Sequence, residues 1–147
     1  MDDVGLSSWW PMGEQNFQIA SVLHLVLEVS CVKVIKIDKV PTESRSGGIF
    51  LGTVESKSLV GDSIGAVDLQ VNIVTFPPGV RNRFHSHSCD QALYILSGKG
   101  IVADEKEEVI AEPGMLFFIP RGERHWHGAT MESSFSHLSI LRPGKTE

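Results

Sequence analysis

His85 and His87 stand one residue apart in the stretch RFHSHSCDQALYILSG, and Gln91 follows four positions later. On an extended strand, side chains i and i+2 leave the backbone on the same side, so these two imidazoles point together. Five of the six histidines, His85, His87, His125, His127 and His137, fall in the C-terminal half on segments that read as strands. Neutral imidazoles brought together in an interior each need a partner at both ring nitrogens, and a divalent cation solves that problem. The pattern predicts a metal ion held by side chains from more than one strand. A dication also lowers the pKa of a neighbouring imidazole, keeping it neutral and able to accept a proton at pH 7. His137 therefore has two readings, a proton-transfer base beside the metal or a core histidine bonded to a backbone carbonyl. His127, on the same face as His125, reads either as a second base or as a residue that orients a ligand.

The elements that must position these residues are short strands. VKVIKI (32–37) alternates apolar and basic residues, GGIFLGTV (47–54) follows a loop-like TESRSGG, and VDLQVNIVTF (67–76) alternates until Pro77, Pro78 and Gly79. Then come ALYILSG (92–98), GIVADE (100–105), EEVIAEPG (107–114), MLFFIP (115–120), RHWHGA (124–129) and FSHLSIL (135–141). Nine or ten strands at intervals of roughly ten residues, with no convincing helix among them, predict an all-β sandwich or barrel. Phe76, Phe84, Leu93, Ile95, Met115, Phe117 and Phe135 supply its core and offer a wall for a small aromatic or aliphatic molecule. MLFFI is apolar on both faces, so its inward parity stays open. Arg81 and Arg83 flank the histidine pair, either holding a carboxylate at the barrel mouth or lying on the surface.

A chain of 147 residues fits one domain with its own core. A formal charge of −5, with no run of Lys or Arg, excludes a phosphate-binding nucleic-acid protein. Cys31 and Cys89 are the only cysteines and sit in dissimilar surroundings, which suits a reducing cytosol, and a cytoplasmic location is expected. Cys89 reads as an inert small side chain. Residues 19–29, IASVLHLVLEV, are interrupted by His24 and Glu28, are too short to cross a bilayer and follow the acidic Asp2, Asp3 and Glu14. They are expected to form a surface helix, with a strand as the alternative, and no membrane partner is expected. Residues 1–31 are expected to be an N-terminal extension, a candidate dimer arm, ahead of a domain over 32–147.

Glycines and prolines add a family resemblance. Gly79, His85, His87, Gln91 and Gly98 are separated by five, one, three and six residues; Gly114, Pro120, Gly122 and His125 by five, one and two. Both stretches resemble the two motifs of the cupin superfamily, in order and with every spacing kept, over about residues 48–141. The resemblance implies a jelly-roll barrel, a double-stranded β-helix, with His85, His87, Gln91 and His125 as ligands to one divalent transition metal: manganese, iron, zinc or nickel. Two positions depart from the common pattern: Gln91 replaces an acidic ligand, and Ala129 an Asn. With four neutral ligands the ion keeps its full charge, which makes a stronger Lewis acid and favours anionic ligands or developing oxyanions. Gln91 could instead serve only as a donor around the ligands.

GERHWHGA (122–129) and SHLSI (136–140) also resemble the small bacterial cupin hydroxynitrile lyases. That likeness implies an acid/base role for His137, twelve residues after His125, and a pocket lined by Asn72 and Val74. Phe76, Phe84 and Arg81 complete the expected pocket. Three functions follow: a Lewis-acid enzyme on a small organic substrate (a C–C lyase or isomerase), a dioxygenase using a redox metal, or a non-catalytic metal or small-ligand binding module. The family resemblance implies a homodimer.

Overall fold

The computed structural model describes residues 32–147, with one compact unit over Val34–Glu147. The expectations for residues 1–31, including the helix over 19–29 and the placement of His24 and Cys31, lie outside the described residues. Ten strands follow one another: β1 (Glu43–Gly47), β2 (Phe50–Val60), β3 (Gln70–Phe76), β4 (Arg81–Asn82), β5 (Gln91–Gly98), β6 (Gly100–Ala103), β7 (Glu108–Ala111), β8 (Leu116–Ile119), β9 (Trp126–Ala129) and β10 (Phe135–Leu141). They form one curled antiparallel sheet in the order β7-β6-β9-β4-β2-β3-β10-β5-β8, with β1 paired to β2. The long strand β2 joins the two walls, pairing with β4 at Phe50 and Leu51 and with β3 from Glu55 onward. This is the all-β cupin barrel expected. No helix among the described residues is long and apolar enough to cross a membrane.

Two expectations at the start of the domain are corrected. Residues 32–36 belong to no strand, and Val32 and Val34 are 93% and 83% exposed, so the alternation there buries neither valine. The loop-like TESRSGG contains β1, an all-exposed edge strand in register with β2. Polar, Ser-rich sequence can form a strand when its neighbour supplies the hydrogen bonds.

Registry arranges the interior in rows. Across β3 and β10 the pairs are Phe76↔Phe135, Val74↔His137 and Asn72↔Ser139, so each pair shares the inner face. Phe76, Phe135, Leu93, Ile95 and Val54 are at most 1% exposed and anchor the core, each contributing about 1.5–3 kcal/mol of burial. The parity of β8 is resolved: Phe117 and Ile119 pair with Leu93 and Gln91 and turn inward, while Leu116 and Phe118 turn out. The motif glycines Gly79, Gly98, Gly114 and Gly122 all have φ between 75° and 89°, the left-handed backbone that tight turns between strands demand.

Candidate metal centre

Strand β4 ends at Asn82 and the chain bends before His85, so both histidines of the first motif lie on an irregular, nearly strand-like run. His85 pairs with His125 through two backbone hydrogen bonds of 2.9 Å, which fixes the loop before β9 against the first motif. His87 pairs with Thr146 in the segment after β10, where Ser86 and Glu147 exchange bonds of 2.8 and 3.0 Å. Gln91 opens β5. Backbone pairing thus brings together His85, His87 and His125, whose ligand nitrogens lie within 4.8 Å of one another.

The proton positions follow from the partners. Nδ1 of His85 lies 2.9 Å from the Arg83 carbonyl, and Nδ1 of His125 lies 2.9 Å from the Glu123 carbonyl. A carbonyl only accepts, so both Nδ1 atoms carry the proton and both Nε2 atoms carry a lone pair. His87 Nδ1 lies 3.0 Å from Thr146 Oγ1. Nε2 of His85 and of His87 is buried with no partner. Nε2 of His125 faces Gln91 Oε1 at 3.1 Å. With Nδ1 holding the proton these two atoms are both acceptors, and a cation beside them would turn their contact into an attraction. Gln91 is held in this attitude because its Nε2 donates to Ser139 Oγ at 3.0 Å. Three neutral imidazoles, aimed inward with lone pairs and supported from behind by carbonyls and a hydroxyl, fit a divalent transition metal. The three histidines are placed to bind a metal ion.

Burial keeps these rings neutral. It pulls His85 down to about 4, opposed by the Arg83 carbonyl and reinforced by His125 and His87, and it also lowers His87 and His125. His137 is fully buried, and burial alone brings it to about 4. Its Nδ1 donates to the Val74 carbonyl at 3.2 Å, leaving Nε2 without a partner. The two sequence readings of His137 thus meet in one residue: one nitrogen is tied to the backbone, and the other is free. His127 is pushed well below its usual value by burial first and by His137 next. Its ring lies 4.7 Å from that of His137 and edge-on to Phe76, with Asn82 Nδ2 3.0 Å from its Nε2. An amide nitrogen only donates, so that lone pair is occupied, and His127 orients its surroundings and is not a free base.

A cavity of about 240 Å³ opens over these side chains, lined by His85, His87, Gln91, His127 and His137 together with Asn72 and Val74. Phe76 lies beneath it in the core, against His127 and His137. Two expected pocket residues are elsewhere. Phe84 is 40% exposed and carries the Arg124 guanidinium 5.7 Å from its ring centre, because the bend after Asn82 turns it out. Arg81 lies over the Trp126 ring at 4.7 Å, outside the cavity. Of the expected apolar wall, Leu93, Ile95 and Phe135 pack in the core, and the cavity is lined by Ile49, Phe50, Val74 and Leu141 together with Ser56, Gln70, Asn82 and Ser139. Asn82, fully buried, was hidden in the sequence because the bend puts it three residues before His85, off the two-residue alternation. A larger recess of about 370 Å³ beside β6, β7 and β8 also reaches His125, but none of the partnerless buried side-chain atoms lines it.

Comparison with known proteins points the same way. The family model described as a cupin domain matches residues 72–141. An (R)-mandelonitrile lyase of Granulicella tundricola is 39% identical over 70 residues, 46% of this chain and 52% of that protein. The chain thus spans about half the length of this curated relative. A cupin-like protein from Thermotoga maritima shares 34% identity, with 71% of this chain and 81% of that one covered at a TM-score of 0.66. The polyketide cyclase RemF from Streptomyces resistomycificus superposes with a TM-score of 0.69 at 19% identity, covering 78% of this chain and 84% of the other, a likeness of fold.

Proposed function

The chain belongs to the cupin superfamily, and on that premise we propose that it is a metal-dependent enzyme that transfers protons on a small organic substrate, cleaving or isomerising it without redox change. The observation that carries this reading is one cavity holding both the three convergent histidines and the partnerless Nε2 of His137. When bound, a divalent ion would supply a Lewis acid for a substrate carbonyl or hydroxyl oxygen. His85, His87 and His125 would hold it through Nε2, with Gln91 Oε1 as the fourth group. His137 accepts the proton at Nε2: the Val74 carbonyl keeps the other nitrogen protonated and the ring fixed. Being neutral and weakly basic at pH 7, it takes a proton only from a group already made acidic, and it returns that proton readily. His127 and Phe76 keep the ring from turning.

The partial likeness to an (R)-mandelonitrile lyase supports cyanohydrin cleavage as the first reaction to assay. His137→Gln should leave metal content unchanged and abolish release of aldehyde and cyanide from mandelonitrile. Full activity in this variant would remove His137 from the mechanism. Outside the barrel, Leu116 and Phe118 on β8 are 63% and 67% exposed beside Tyr94 and Leu96 on β5, and this apolar face is where we place a second copy in a homodimer.

A further inference from the structure

The cavity differs in character from the core beneath it, and the difference bears on what it binds. Among the described residues that line the cavity, Arg45 alone carries a formal charge, since burial keeps the lining histidines neutral. Its position follows from register. Arg45 on β1 stands opposite Val54 on β2, and Val54 is fully buried, so the arginine leaves the edge strand on the inner side and reaches over the mouth. Glu43 approaches one of its nitrogens at 3.4 Å, an exposed and long contact that leaves most of the guanidinium fork free for a ligand.

Apart from the Nε2 atoms of His85 and His87, which face the metal centre, two buried atoms without partners lie deeper in the cavity, Asn82 Oδ1 and His137 Nε2. Both accept hydrogen bonds. A neutral aromatic or aliphatic molecule would leave both unsatisfied, at a cost of about 1–3 kcal/mol for each group. A molecule bearing hydroxyl groups satisfies them. Ser56, Gln70 and Asn72 add further neutral polar groups along the wall between mouth and floor.

Resting on the metal-centre reading above, we propose that the substrate is a small hydroxylated carboxylate, held by its carboxylate on Arg45 at the mouth while its hydroxyl donates to His137 Nε2 below. Arg45 then sets specificity without supporting the metal, because it touches none of the histidines.

Malate, succinate and malamide, titrated calorimetrically into protein loaded with Mn(II), test this. They share a four-carbon frame and differ in the hydroxyl or in the charge. Malate is expected to bind about ten-fold more tightly than either succinate or malamide. Arg45→Gln should erase most of the malate-over-malamide preference while keeping the Mn(II) affinity of the wild type. Equal binding of malate and malamide, or an unchanged preference in Arg45→Gln, overturns the substrate assignment and leaves the metal centre standing. Failure of the wild type to take up Mn(II) in the first titration sinks the metal-centre reading and this assignment with it.

Discussion

The two ends of the barrel interior are built on the same strands and obey opposite rules. At one end β3 and β10 contribute Phe76 and Phe135, apolar side chains that pack at full density and want no partner. Two residues further along β10, His137 takes the place of an apolar residue, and Ser139 follows it. The buried Nε2 atoms of His85, His87 and His137 have nothing to bond to. The closed end lowers the free energy of the fold. The open end raises it, and keeps groups that only an exogenous ligand can satisfy. A protein retains such an arrangement where the ligand, and not the fold, is the purpose.

That contrast can be broken by one substitution at each end. Phe135→Ala should cost about 3–5 kcal/mol in denaturant unfolding, by loss of burial and opening of a cavity. It should leave metal stoichiometry intact, since Phe135 stacks on His137 and on none of the three convergent histidines. His85→Ala should do the reverse: metal uptake is lost, along with the rise in melting temperature that added metal gives the wild type. The metal-free variant should lose much less stability than Phe135→Ala, because the cavity it opens is offset by removal of a buried Nε2 that lacked a partner. Equal destabilisation by both would mean that the histidine end is ordinary core.

Acid sharpens the comparison next. His85 and His137 have folded-state pKa values of about 4, well below an unfolded value near 6.5. Between these limits the unfolded chain binds more protons, so stability rises with pH. Their contribution is fully present above about pH 6.5 and is lost as pH falls towards 4. Each histidine forced to charge adds a slope of up to about 1.4 kcal/mol per pH unit. Unfolding of the metal-free protein from pH 7 to 5 should show this slope, and His137→Gln should make it shallower. Phe135→Ala should lower the curve without changing its slope. A flat profile in the wild type would show that these rings are not held neutral by burial.

The sequence disclosed these two ends unequally. Strands β3 and β5 to β10 announced themselves by apolar patterning and by glycines at turns, and the spacing of His85, His87, Gln91 and His125 carried the metal centre. What stayed hidden depended on partners. β1 is polar and becomes a strand only because β2 lies beside it, and residues 32–36 alternate without forming a strand. A bend after Asn82 breaks the two-residue rhythm, so Asn82 turns in while Phe84 turns out, whereas an unbroken strand would put both on one face. Arg45 could be found only through register, and Thr146 is remote in sequence from the histidine it touches.

Thr146 offers the subtlest test of the open end. Its hydroxyl accepts from His87 Nδ1, whereas His85 and His125 lean on backbone carbonyls that no substitution removes. His87 is thus the one ring of the three whose outer support is a replaceable side chain. Thr146→Val keeps the shape and β-branching but removes the acceptor, freeing the imidazole to rotate or to place its proton on Nε2, where a ligand lone pair is needed. Metal affinity, measured by competition with a chelator, should fall about 10–100-fold, and Thr146→Ser should restore it. Unfolding of the metal-free protein should barely change, because the segment around Thr146 is exposed and its backbone bonds to Ser86 and Ser88 survive both substitutions. Wild-type affinity in Thr146→Val would mean that backbone pairing alone aims His87, and that the open end tolerates loose support where the closed end tolerates none.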